Sequence, residues 1–293
     1  MGYRPYAIVQ APSVLGLTPS GVQDLPKALL DCRFAERIGA RVGRRLETPP
    51  YDDRIDPQTR TLNAQAIADW SPKLADAMEE VLDQGKFPVI LGGDCSILLG
   101  TTLALKRRGR FGLLFIDGHA DFYQPEATNG EAASMDLAFA TGRGPAVLAD
   151  LEGRGPLVRD EDIVVFSYRD AEQQAEYGSQ ALAENITAYD IDAVHELGAS
   201  RAAEAAIKRL TRSDVEGFFI HIDADCLGDD VMPAVDYRLS DGLTLQELTD
   251  TLAMALQSEK AVGLEITIYN PRLDTDGRAG RSFVDALVAA MVR

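Results

Sequence analysis

Short, nearly unbroken apolar runs recur along this chain, and between them apolar residues fall at helical spacing. Tyr6-Ala7-Ile8-Val9-Gln10, Pro88-Val89-Ile90-Leu91 and residues 112–117, 162–166, 217–222 and 261–266 are of the first kind. Apolar runs without polar alternation mark strands covered on both faces, as in a parallel sheet. Residues 41–46 and 186–189 read as shorter strands, the first at an edge. Helices are expected at 22–39, 63–84, 96–108, 133–141, 171–182, 200–210, 245–256 and 280–292. Gly85 stops the second of these, and Thr244 with Glu247 forms a capping box at the start of the seventh. Polar or Gly/Pro-containing loops fill 49–61, 122–131, 142–155 and 227–242. Strand and helix alternate from end to end, which predicts a three-layer α/β/α fold around a mostly parallel sheet. No internal repeat or separating linker interrupts the pattern, so residues 1–293 are expected to form a single domain.

Composition narrows the function more than the fold. With 293 residues and 46% hydrophobic content, the chain can bury a large core. Its 29 Lys and Arg against 46 Asp and Glu leave a net charge of −17. Such a surface repels phosphate backbones, which argues against a nucleic-acid partner, and its field weakly favours small cations. No apolar run approaches the roughly 20 residues that span a bilayer, so no membrane association is expected. The opening residues show no signal-peptide core, and Cys32, Cys95 and Cys226 are too scattered for a disulfide framework. A reducing, cytoplasmic location is the expectation.

The chemistry concentrates where two buried runs end. Leu113-Leu114-Phe115-Ile116 runs into Asp117-Gly118-His119-Ala120-Asp121, and Phe218-Phe219-Ile220-His221-Ile222 runs into Asp223-Ala224-Asp225. Side chains alternate in extended chain, so Asp117, His119 and Asp121 are expected on one side. The carboxyl ends of parallel strands are where open α/β sheets place chemistry. Taken singly, each Asp reads as a loop cap. The repeated ending points to a cation, and four carboxylates with an imidazole exceed the needs of one divalent ion. Two ions sharing bridging carboxylates account for the set. Oxygen-rich ligation with some imidazole suits Mn, Mg or a similar hard ion. Such a pair lowers the pKa of water from about 15.7 toward roughly 7, which is a hydrolase design. Cys95, in Gly92-Gly93-Asp94-Cys95-Ser96, and Glu265, in Gly263-Leu264-Glu265-Ile266, also fall at or near strand ends.

Taken in order, Gly-Gly-Asp-x-Ser, Asp-x-His-x-Asp, Asp-x-Asp and a late Glu before Asn270-Pro271 resemble the ureohydrolase superfamily. That superfamily comprises arginase, agmatinase, guanidinobutyrase and formimidoylglutamase. The resemblance runs from about residue 89 to the C-terminus. It implies an eight-stranded, mostly parallel sheet, two Mn(2+) ions per chain and a trimeric or hexameric homo-oligomer. The implied activity is hydrolysis of a guanidino or formimino C–N bond by hydroxide shared between the ions. Carried over by motif, Asp117 and Asp223 bridge the ions, His119 and Asp225 hold one, and Asp121 with Cys95 holds the other. Asp121 would also take the proton and deliver it to the leaving amine. Glu265 matches the acid that pairs with the guanidinium of a small cationic substrate, a charge-assisted contact.

The pattern has three departures. Cys95 stands where the motif has His; a thiolate can ligate a metal, and a nearby dication would deprotonate it. A branch acting on N-hydroxyarginine resembles this Cys variant. The alternative is an impaired or regulatory homologue that binds metal or ligand without turnover. His221 lies two residues before Asp223 on the same strand face, one step deeper, and reads as a histidine that orients a ligand. Ser134 stands where arginase-like members carry a His. Tyr123 and Gly130 align with the Asn and Ser that receive an α-carboxylate in arginase. Plain L-arginine is therefore disfavoured, and Tyr123 is expected at the substrate. Asp94 is expected to brace its turn, Ser96 to cap a helix, Cys32 and Cys226 to be buried thiols, and His195 to lie at the surface.

Overall fold

The computed structural model describes residues 4–127 and 129–292; residues 1–3 of the opening segment, Thr128 and Arg293 lie outside them. The strands are β1 (Tyr6–Gln10), β2 (Arg41–Arg45), β3 (Phe87–Leu91), β4 (Phe111–Ile116), β5 (Ile163–Tyr168), β6 (Thr187–Asp190), β7 (Gly217–Asp223) and β8 (Ala261–Thr267). They form one sheet in the order β2-β1-β3-β8-β7-β4-β5-β6, with every neighbouring pair parallel. The expected eight-stranded three-layer fold is present, and among the described residues the sheet is parallel throughout.

Alternation along the central strands feeds two apolar layers. Val89, Leu114, Ile116, Ile220, Ile222 and Leu264 face one layer, closed by helices Ala199–Leu210, Leu245–Gln257 and Arg278–Met291. Ile90, Leu113, Phe115 and Phe219 face the other, closed by helices Ala64–Asp83 and Leu98–Arg108. Burying each such side chain contributes about 1.5–3 kcal/mol. Both faces are therefore largely apolar, and polar groups gather toward the carboxyl ends of the strands. The exposed edge β2 carries Arg41, Arg44 and Arg45, charges that disfavour edge-to-edge pairing. Among the described residues no helix is long and apolar enough to cross a membrane.

Three helices differ from expectation, each for a local reason. The stretch 22–39 breaks into Leu25–Asp31 and Phe34–Arg37, because Arg33 takes a left-handed φ of 60° that turns Phe34 into the core. The helix from Ala171 stops at Tyr177, where Gly178 is left-handed. The stretch 133–141 divides at Met135 into a 3-10 turn, Ala132–Ser134, and a short helix, Asp136–Ala140. A short helix, Ile191–Leu197, capped by Asp190, was not expected; it carries the half-exposed His195.

Candidate active site

The ends of β4 and β7 lie side by side, with Phe115 beside His221 and Ile116 beside Ile222. Beyond Ile116 the extended alternation stops. Asp117 Oδ1 accepts the backbone N–H of His119 at 2.7 Å, and Asp223 Oδ1 accepts that of Asp225 at 2.7 Å. Asp225 Oδ1 crosses to the Gly118 N–H at 3.0 Å. Each carboxylate thus spends one oxygen closing a tight turn. A Cβ on Gly118 would stand 2.6 Å from the Asp225 carbonyl oxygen, so this crossing requires glycine. Asp121 takes φ 44°, uncommon for a residue with a Cβ.

After β3, the Gly92-Gly93 turn presses against the loop that follows β1. A Cβ on Gly93 would lie 1.7 Å from the Ser13 carbonyl oxygen. Asp94 Oδ1 accepts the Ser96 N–H at 2.9 Å, so the cap is Asp94 rather than Ser96. The turn aims the buried Cys95 Sγ at Asp223 Oδ2, 2.8 Å away, and at Thr267 Oγ1, 3.3 Å away. Gly93→Ala is expected to destabilise the protein by about 1–3 kcal/mol, as overpacked sites do. Unfolding in denaturant measures this, and an unchanged midpoint would show that the turn is not tightly held.

Three groups of metal-ligand types result, the ligand atoms in each lying within 4.8 Å of one another: Cys95, Asp117, His221 and Asp223; Cys95, Asp121 and Asp136; and Asp117, His119 and Asp225. The contiguous Asp-x-His-x-Asp motif is thereby divided, with Asp121 grouped apart from Asp117 and His119. Asp117 Oδ2, His221 Nε2 and both Asp136 oxygens are buried without a hydrogen-bond partner. Such atoms are costly unless something charged meets them.

The electrostatics point the same way. Burial, then the Asp225 charge, pushes Asp117 up to about 6. Burial and neighbouring carboxylates hold Asp121, Asp223 and Asp136 well above the carboxylate range, although the nearby His221 works the other way on Asp136. Burial and then Asp223 raise the Cys95 thiol. Asp225 moves down: burial opposes this, but His119 Nδ1 stands 3.0 Å from its Oδ2. His119 is raised to about 10, because Asp225 outweighs burial. Crowded carboxylates, a thiol and imidazoles with unpaired buried atoms fit divalent cations, which would favour the ionised acids and thiol.

A model of the Arginase family matches residues 4–292. The chain belongs to the arginase family. An arginase from Bacillus caldovelox is 29% identical over 287 residues, 92% of each chain. One from Bacillus subtilis (strain 168) is 26% identical over 96% of each. A solved arginase structure from Bacillus caldovelox superposes with a TM-score of 0.87 at 26% identity, covering 99% of both chains.

One residue of this arginase-family chain, Glu265, lies elsewhere than motif order implies. A cavity of about 410 Å³ is lined at its acidic floor by Cys95, His119, Asp121, Asp223 and Asp225. Tyr123 and Ser134 are on its walls. The Ser134 hydroxyl donates to the Glu131 carbonyl at 2.9 Å. Glu265 is not on the cavity. It is fully buried in the sheet beside His221, accepting from Thr101 Oγ1 at 2.9 Å and meeting His221 Nδ1 at 2.7 Å. Ile268, three residues on, takes the wall position at φ 66°. Sequence reasoning missed Asp136, whose signal was a lone carboxylate between Met135 and Leu137. It also missed Glu131, Tyr177 and Tyr237 on the cavity walls.

Proposed function

We propose that this chain is a hydrolase of the linear-amidine class that cleaves a C–N bond of a small guanidino compound. It would do so with two divalent ions, manganese by resemblance, at Cys95, Asp117, His119, Asp121, Asp223 and Asp225. The observation that carries the reading is the convergence of these side chains, in groups that share Asp117 and Cys95, at and beneath the floor of an open cavity. When bound there, such ions supply Lewis acidity that brings the pKa of water to about 7.

The remaining work falls to the chain's own groups. Asp121 lines the floor, where its carboxylate can take a proton from the attacking water and release it to a leaving amine. His119 and Asp225 fix one another across the turn. Tyr123, Tyr177 and Tyr237 line the cavity, and an aromatic face turned to it would attract a cation. Glu131 is the carboxylate on the wall: its Oε1 accepts from Thr18 N at 2.9 Å and Thr18 Oγ1 at 2.6 Å, and its Oε2 from the Tyr237 hydroxyl at 2.5 Å. Among the described lining residues there is no Lys or Arg. A substrate carboxylate would face an acidic floor unpaired, so guanidino amines fit better than guanidino or formimino amino acids. Glu131→Gln is expected to raise KM for a guanidino amine roughly tenfold, about 1.4 kcal/mol, with kcat nearly unchanged. Steady-state kinetics check this, and an unchanged KM removes Glu131 from substrate binding. Cytoplasmic, trimeric or hexameric assembly belongs to the same reading.

Binding without turnover is the second reading. It is favoured by the withdrawal of Glu265 from the cavity, which removes the guanidinium partner that the motif implied. The deciding experiment measures urea, hydroxyurea, formamide and amine release from guanidino amines, guanidino acids, N-hydroxyguanidines and formimino compounds, with Mn(2+) added. Turnover of a guanidino amine supports the first reading. Two bound ions with no product from any compound supports the second.

A further inference from the structure

We propose that His221, with its ring held by Glu265, is a metal ligand, completing with Cys95, Asp117 and Asp223 a sulfur-, nitrogen- and oxygen-donor site beneath the cavity floor. The proposal rests on the reading above only for the presence of divalent ions; it concerns which of this chain's residues bind one and which ions they favour.

Four observations carry it. First, the four ligand atoms lie within 4.8 Å of one another. Metal–ligand bonds of roughly 2.0–2.3 Å at tetrahedral angles place ligand atoms about 3.3–3.8 Å apart. His221 Nε2 is 3.6 Å from Asp117 Oδ2, which is too far for a good hydrogen bond and right for two ligands of one ion. Cys95 Sγ and Asp223 Oδ2, at 2.8 Å, need only separate by several tenths of an ångström. Second, His221 Nε2 and Asp117 Oδ2 are both buried and unpartnered. Third, the ring is fixed from every side. Its Nδ1 meets Glu265 at 2.7 Å, Glu265 is held in turn by Thr101, and the ring stacks on Phe115 at 4.5 Å with a 6° interplanar angle. When Nδ1 donates its proton in the hydrogen bond to Glu265, the neutral ring presents the Nε2 lone pair to an ion. This carboxylate–imidazole pairing is how proteins set the tautomer and aim of a ligating histidine. Fourth, the site occupies positions that the sheet register dictates. His221 pairs with Glu265, and Asp223 with Thr267, on neighbouring parallel strands.

Glu265 is thus a positioning residue for the metal rather than a partner for substrate. One thiolate, one imidazole and two carboxylates form a four-donor set suited to zinc or cobalt. The group of Asp117, His119 and Asp225 is oxygen-rich and closer to what manganese prefers. The chain would then hold two unlike ions that share Asp117.

The test is titration of the chelator-stripped full chain with Co(II), followed by absorption spectroscopy and then by Zn(II) and Mn(II) competition. The wild type is expected to give a thiolate-to-cobalt charge-transfer band with the intense visible absorption of a four-coordinate ion. Cys95→Ser should abolish the band. His221→Gln should shift the visible absorption and weaken Co(II) binding at this site at least tenfold. Glu265→Gln should weaken it by about 10–100-fold while keeping the band. Circular dichroism confirms folding of each variant; if His221→Gln does not fold, Glu265→Gln decides. Wild-type protein without a thiolate band, or a folded His221→Gln or Glu265→Gln that titrates like wild type, overturns the proposal. Metal titration needs no turnover: a protein inactive on every substrate but with the expected spectra leaves it standing, and an active protein with unaltered variant spectra overturns it alone.

Discussion

Asp121→Asn is expected to lower kcat by about 10²- to 10⁴-fold on whichever guanidino compound the protein turns over, while two divalent ions stay bound. Asn is nearly isosteric with Asp, and its oxygen can still face the floor, so the cavity and the neighbouring side chains keep their places. What is lost is a group that can take up a proton at one point in the reaction and give it back at another. Asp121 is the floor carboxylate best suited to that role. It lines the cavity, and its backbone at φ 44° sets it apart from Asp117 and His119. Measuring kcat alongside metal content separates proton transfer from ligation. Full activity in the variant removes Asp121 from proton transfer, and a fall in metal content makes it a ligand first.

Chelator-stripped protein is expected to be less stable at pH 8 than at pH 5, and divalent cations are expected to reverse that order. Asp117 is pushed up to about 6, and Asp121, Asp136 and Asp223 are also raised. The folded chain therefore keeps protons that the unfolded chain releases near pH 4. The stability linked to them is complete below the unfolded value and is lost as pH rises through the folded one. His119, raised to about 10, acts in the same direction above its ordinary value near 6.5. Asp225 is lowered, and its contribution is lost only in acid below about 4, outside the window. A cation needs the carboxylates, thiol and imidazoles deprotonated, so its stabilisation grows with pH. At about a hundredfold over Kd it adds about 2.7 kcal/mol, or roughly 5–10 °C in Tm. Thermal scans at the two pH values, with and without Mn(2+) or Zn(2+), measure the effect. Equal or rising stability of the stripped protein from pH 5 to 8 would show that the acids are not strained by mutual burial.

The fold was legible in the sequence because a parallel sheet covered on both faces writes itself as apolar runs, and helices between such strands follow from connectivity. Errors gathered where single residues decide. Arg33, Met135 and Gly178 end helices by backbone conformation, which apolar spacing does not encode. The Asp117-Gly118-His119 and Asp223-Ala224-Asp225 endings were legible as a cluster of metal-ligand types, because two buried apolar runs end in the same spaced carboxylates. Tight turns replace the alternation that would have put Asp121 beside Asp117, whereas the carried-over motif already set Asp121 with Cys95, apart from His119 and Asp225. Glu265 shows the limit of motif order: its position in the chain is consistent with a substrate contact, but strand register puts it behind the site, against His221. His221 and Asp136 were hard to read for the same reason. Each is one polar residue inside an apolar stretch, and only the neighbouring strands and helix show what it faces.

The central claim is that Asp117 joins two ion sites on which C–N hydrolysis depends. Elemental analysis and calorimetric titration of wild type and Asp117→Ala, run beside product release from a guanidino amine, test it most directly. The wild type is predicted to bind two divalent ions per chain and to release amine. Asp117→Ala, with its fold verified by circular dichroism, is predicted to bind at most one ion and to lose turnover. Wild-type protein that binds no divalent ion, or Asp117→Ala that retains two ions and full turnover, would contradict the account.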